Sequence, residues 1–114
     1  MIDRASFSAS RVTVAADVDY GEGYIHFEWP DPIYGSEGLT IDLVGFCSRN
    51  MSIRSGAGPP DFVELRPGSV TLRFTSVLAK KLELHETIQI QFSISEDDFR
   101  ALQQVVEYFK EWPS

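Results

Sequence analysis

The sequence predicts an α+β domain: a largely antiparallel β-sheet of about six strands, with a short helix and a long C-terminal helix packed on one face. Two observations carry this. Residues 70–112 read strand, short helix, strand, long helix, and residues 11–29 read as a β-hairpin. Strands with one apolar face need a cover, and an amphipathic final helix supplies it. With 114 residues, the chain fits one domain over residues 1–114, long enough for a core without staples.

Residues 1–10 show no periodicity beyond Phe7 and read as a lead-in or an edge segment. From Arg11 the pattern has period two, with Val12, Val14, Ala16 and Val18 on one face. Tyr20-Gly-Glu-Gly23 is a turn, because its glycines allow positive φ. The returning strand alternates Ile25, Phe27 and Trp29 with Tyr24, His26 and Glu28. Two prolines and two glycines in residues 30–38 predict a break in the sheet. Leu39, Ile41 and Leu43 begin a third strand, with Thr40 and Asp42 facing outward. Met51 and Ile53 suggest a short fourth strand, and Ser55-Gly-Ala-Gly-Pro-Pro60 a loop.

Phe62 to Leu65 forms a strand and Arg66-Pro-Gly-Ser69 a turn. Val70, Leu72 and Phe74 alternate with Thr71, Arg73 and Thr75, and Leu78 and Leu82 lie one helical turn apart. Ile88, Ile90, Phe92 and Ile94 mark the next strand. Phe99, Leu102, Val106 and Phe109 recur at helical spacing, with Ser95 as N-cap and Glu96, Asp97 and Asp98 in the first turn, where the helix dipole favours negative charge. Those three carboxylates are accounted for by helix chemistry.

The formal net charge is −7 and unevenly placed. Residues 12–48 contain no Lys or Arg but hold Asp17, Asp19, Glu22, Glu28, Asp31, Glu37 and Asp42; the remainder carries ten acidic and ten basic residues. Such a surface repels phosphate backbones, which argues against nucleic acid as partner, and attracts a basic protein. The opposing reading is a solvated face that aids solubility. Trp29 and Tyr34 flank the proline-rich segment beside Asp31 and Glu37. Aromatic rings next to carboxylates suit a partner's Arg or Lys, whereas Trp29 equally fits the strand's apolar, core-filling face. The candidate partner-binding residues are therefore Asp17, Asp19, Glu22, Glu28, Asp31, Tyr34, Glu37 and Asp42.

Catalytic signals are sparse. His26 and His85 lie on separate elements, and Cys47 has no neighbouring base in sequence. Asp17, Asp19, Gly21, Gly23 and Glu28 imitate calcium-loop spacing, but Glu22 stands where that loop needs glycine and the flanks alternate as strands. Phosphate-cradling glycine motifs are lacking. The expectation is a non-enzymatic binding protein with no cofactor and no metal. A single cysteine, no apolar run of membrane-spanning length and no signal-peptide pattern point to the cytoplasm and to no membrane partner.

Residues 63–109 resemble the C-terminal part of the immunity protein 10 family of bacterial polymorphic toxin systems. The resemblance is carried by Val63-Glu-Leu-Arg-Pro-Gly-Ser-Val-Thr-Leu-Arg-Phe-Thr75, Leu78-Ala-Lys-Lys-Leu-Glu-Leu84, Ile88-Gln-Ile-Gln-Phe92 and Asp98-Phe-Arg-Ala-Leu102. Leu39 to Ile53 resembles the family more loosely, and the double proline at residues 59–60 departs from it. Membership implies a cytosolic inhibitor that binds a cognate protein toxin. The matching positions are packing positions, so no functional residue carries over. The alternatives are a small-ligand-binding domain with its pocket between sheet and long helix, and a structural homodimer paired through an exposed strand edge.

Overall fold

A computed structural model describes residues 5–33, 35–49 and 54–111. It shows the α+β class. Nine strands are found among these residues: β1 (Ser6–Ser8), β2 (Arg11–Asp17), β3 (Glu22–Asp31), β4 (Gly35–Asp42), β5 (Phe46–Arg49), β6 (Arg54–Ala57), β7 (Asp61–Arg66), β8 (Ser69–Arg73) and β9 (Thr87–Gln91). Helix α1 (Ser76–Leu82) precedes β9, and α2 (Glu96–Lys110) follows it. The strands divide into two sheets rather than forming one, in the orders β2-β3-β4-β5-β6 and β1-β9-β8-β7. All pairings are antiparallel except β1 with β9.

The division follows from the alternation. Ile25, Phe27 and Trp29 stand opposite Ile41, Leu39 and Glu37, so one face of the five-stranded sheet is mostly apolar. In the other sheet Phe7 pairs with Ile90 and Val70 with Ile90 on its far side, giving a matching apolar face. The faces meet: Phe7 stacks on Trp29 with centroids 4.5 Å apart, and Phe27 lies 6.4 Å from Phe92. Helix α2 contacts β2 of one sheet and β7 of the other, with Phe109 stacked on Phe62 at 5.4 Å. Helix α1 contacts β5 and β6. Sheet, α1 and α2 together cover the inner face of the five-stranded sheet.

Local chemistry sets the boundaries. The Ser95 hydroxyl accepts from the Asp98 N–H at 3.1 Å, the expected N-cap, and Thr75 caps α1 in the same way through the Leu78 N–H at 3.2 Å. The β2–β3 turn falls at residues 18–21, with Gly21 at φ 64°. The predicted break at residues 30–38 is shorter in the structure, because β3 runs through Pro30 to Asp31 and β4 begins at Gly35. Pro30 is tolerated for a definite reason. The Leu43 N–H donates to the Gly23 carbonyl, so odd-numbered residues of β3 bond toward β4 and even-numbered ones toward β2. Strand β2 ends its pairing at Glu28, so the N–H that proline lacks would have faced no strand.

The predicted loop at residues 55–60 also changes: its first part is β6. Gly56 is the enabling residue. A Cβ there would come within 2.7 Å of the Leu78 side chain, so the missing side chain lets α1 approach the strand. The lead-in segment becomes edge strand β1. The expected strand at Met51 and Ile53 lies outside the described residues.

Candidate functional site

In the five-stranded sheet, residues paired in register point the same way. The outer face carries a row running across all five strands: Thr13, His26, Thr40, Ser48 and Ser55. His26 Nδ1 and Thr40 Oγ1 share a hydrogen bond of 2.7 Å, which confirms the parity. The His26 ring lies over Gly38, where an added Cβ would meet it at 2.4 Å. One row toward the β2–β3 turn stand Ala15, Tyr24 and Asp42, with Phe46 and Ala57 continuing on β5 and β6. Beyond them Asp17 faces Glu22, and at the other end Arg11 faces Glu28. The helices and the second sheet lie on the opposite side, so this face is uncovered.

The face therefore gathers Asp17, Glu22, Glu28 and Asp42, over a span of roughly 20 Å along β3. Arg11 is the cation among its paired positions. Asp19 lies in the adjoining turn, where its N–H donates to Asp17 Oδ1 at 3.1 Å. Asp31 closes β3 and accepts from the Ile33 N–H at 3.0 Å. Tyr34 lies outside the described residues.

Glu37 is placed differently. It stands opposite Trp29 on the inner face and forms an ion pair with Arg49, the one buried charged residue of the described core. Arg49 is only 3% exposed. Its Nη1 donates to the Leu82 and Glu83 carbonyls, at 2.9 and 3.0 Å, at the C-terminal end of α1. Its guanidinium lies 5.9 Å from the Trp29 ring. Helix C-termini favour cations, and Arg54 adds a second one through its ion pair with Glu83. Glu83 is the one described non-glycine residue at positive φ, 54°. Burial pushes the Arg49 guanidinium down to about 10, with Arg54 adding to the effect and Asp31 opposing it, so the group stays charged at neutral pH. Glu37 thus serves as counter-ion of a pin that ties β4 and β5 to α1.

Trp29 is likewise interior, at 1% exposure. Cys47 is buried, its thiol 3.4 Å from the Gly58 carbonyl, and burial, with Asp42 adding, pushes its pKa up to about 12. Such a thiol is a poor nucleophile. A groove of about 340 Å³ lies between the β2–β3 turn and the end of α2, lined by Val18, Gln104, Glu107, Tyr108 and Glu111. It is open to solvent and partly acidic, unlike the enclosed apolar pockets that hold small molecules. No helix among the described residues is long and apolar enough to cross a membrane.

Sequence reasoning grouped Glu37 with the exposed carboxylates and gave no role to Phe46 or Arg49. The signal for Glu37 was its even spacing from Leu39, Ile41 and Leu43, which puts it on their face. Arg49 shares the inward parity of Cys47 in the same way.

No family model matches this chain, and neither the curated proteins nor the solved structures give a match. Val70, Leu72, Phe74, Leu78, Leu82, Ile88, Ile90, Phe92 and Leu102 are all buried, so these apolar positions of residues 63–109 fill the core.

Proposed function

We propose that this chain is a non-enzymatic, immunity-type inhibitor that neutralises a basic protein toxin in the cytoplasm by occluding its cationic surface. The observation that carries the reading is the uncovered face of the five-stranded sheet, where Asp17, Glu22, Glu28 and Asp42 project together from one rigid support. A surface of one sign speeds encounter with a partner of the other and fixes its orientation, while exposed aromatic rings on the same face supply contact area. The resemblance of residues 63–109 to an immunity family supports the inhibitor class and says nothing of the contact residues.

The test is growth rescue. Expression of the toxin domain encoded beside this gene arrests growth; co-expression of the chain restores it, and the two proteins co-purify as a complex whose association slows as salt rises. Glu22→Lys with Glu28→Lys weakens rescue. A neighbouring product that is harmless, or a toxin neither bound nor neutralised, overturns the reading.

A further inference from the structure

The carboxylates of the outer face are not equivalent. Glu28 faces Arg11 across β2, and Asp17 accepts a hydrogen bond from its own turn. Asp42 differs in its neighbours. It is half-buried and, like Glu22 and Glu28, has no side-chain hydrogen bond or ion pair among the described residues, but the residue paired with it is aromatic. Its register partner is Tyr24. Because Gly23 and Leu43 exchange the ladder hydrogen bond, Tyr24 and Asp42 form the closer, non-hydrogen-bonded type of pair, with Cβ atoms about 4.5–5.5 Å apart. On its other side the β4–β5 register, whose last pair is Ile41 with Cys47, leads next to Phe46, across a hairpin closed by the Gly45 N–H donating to the Asp42 carbonyl at 3.0 Å. Tyr24 and Phe46 are 39% and 40% exposed, and Val44 in the β4–β5 turn is 71% exposed. Large aromatic rings that fill core are not left open to this degree, whereas rings that receive a partner are.

We propose that Tyr24, Asp42 and Phe46 form a socket for a single arginine side chain of the partner protein. This rests on the inhibitor reading above. The carboxylate takes two guanidinium N–H groups, the flanking rings take the planar faces of the guanidinium, and Val44 covers part of its aliphatic stem. Charge complementarity selects the occupant. The positions in the row of Asp42 (Ala15, Tyr24, Phe46 and Ala57) hold no cation, so no positive side chain stands beside it in that row. A second copy of this chain would set acidic face against acidic face and is disfavoured. Lysine, a compact and strongly hydrated charge, uses the carboxylate but gains less from the rings.

Deca-arginine and deca-lysine peptides serve as probes, bound to the isotopically labelled full chain and read by amide shifts and fluorescence anisotropy at physiological salt. Deca-arginine binds several-fold tighter than deca-lysine, with the largest shifts at Tyr24, Asp42 and Phe46. Asp42→Asn lowers deca-arginine affinity about tenfold, as loss of a central anchor does. Phe46→Leu, which keeps an apolar side chain at the hairpin base, removes the preference for arginine and spares lysine binding. Equal affinity for the two peptides, unchanged by Asp42→Asn, overturns the socket while leaving a cation-binding face. Failure of both peptides to bind overturns the socket and the reading beneath it.

Discussion

Arg49 is the residue on which most separate interactions converge. It joins Glu37 on β4, two carbonyls at the end of α1 and the Trp29 ring. A buried ion pair is worth little against an apolar pair of equal volume, but removing one partner leaves an uncompensated charge. Arg49→Leu should lower stability in urea unfolding by roughly 3–5 kcal/mol, and adding Glu37→Leu should return part of that loss. Cys47 makes a pH-dependent contribution with a definite sign. Its thiol holds the proton more tightly folded, at about 12, than at the ordinary 9.0. The stabilisation is complete below pH 9.0 and fades as pH climbs toward 12. Denaturation midpoints should therefore fall above pH 9.0 more steeply in the native sequence than in Cys47→Ala. At pH 8 the folded protein should resist thiol reagents that label it fully once unfolded.

The hairpin of β2 and β3 depends on one glycine. Gly23 has φ 106°, and a Cβ there would lie 2.1 Å from the Ala15 carbonyl oxygen, a backbone atom that cannot swing away. Gly23→Ala should cost more than about 2 kcal/mol by chemical denaturation. Ser95→Ala, which removes only the α2 cap, should cost about 1 kcal/mol. The hairpin, α1 and α2 were legible because period-two and period-3.6 patterns there are long and capped by recognisable residues. Strand β6 was not, since Arg54-Ser-Gly-Ala57 has no alternation and is held by what packs on Gly56 rather than by its own side chains. The partition into two sheets was equally hidden. Apolar alternation marks which face is buried, not which strands lie beside each other. The same rule explains the site: Asp17, Glu22, Glu28 and Asp42 fall on non-core positions and share a face, whereas Glu37 follows the parity of Leu39 and turns inward. Phe46 could not be placed from sequence because its strand is four residues long.

At the scale of the whole molecule, one sheet face is left uncovered and loaded with like charges. Asp17 and Glu22 stand directly opposite each other across the hairpin, an unfavourable arrangement. Glu22→Lys should raise stability by a few tenths of a kcal/mol at low salt, with the gain shrinking as ionic strength rises. A substitution that stabilises the free protein while weakening rescue from a toxin would mark this face as kept for binding rather than for folding.

The parallel pairing of β1 with β9 also bears on how the protein is made. Ser6 lies beside Gln89, Phe7 beside Ile90 and Ser8 beside Gln91, so of the described strands the one made earliest bonds to the one made latest. Phe7, which stacks on Trp29 in the finished sandwich, has no sheet to join until β9 has emerged from the exit tunnel. Closing so long a loop is slow, and the apolar surface stays open meanwhile. Nascent chains stalled before residue 91 should be cut readily near Phe7 by a protease of aromatic specificity, and chains in which β9 has cleared the tunnel should not.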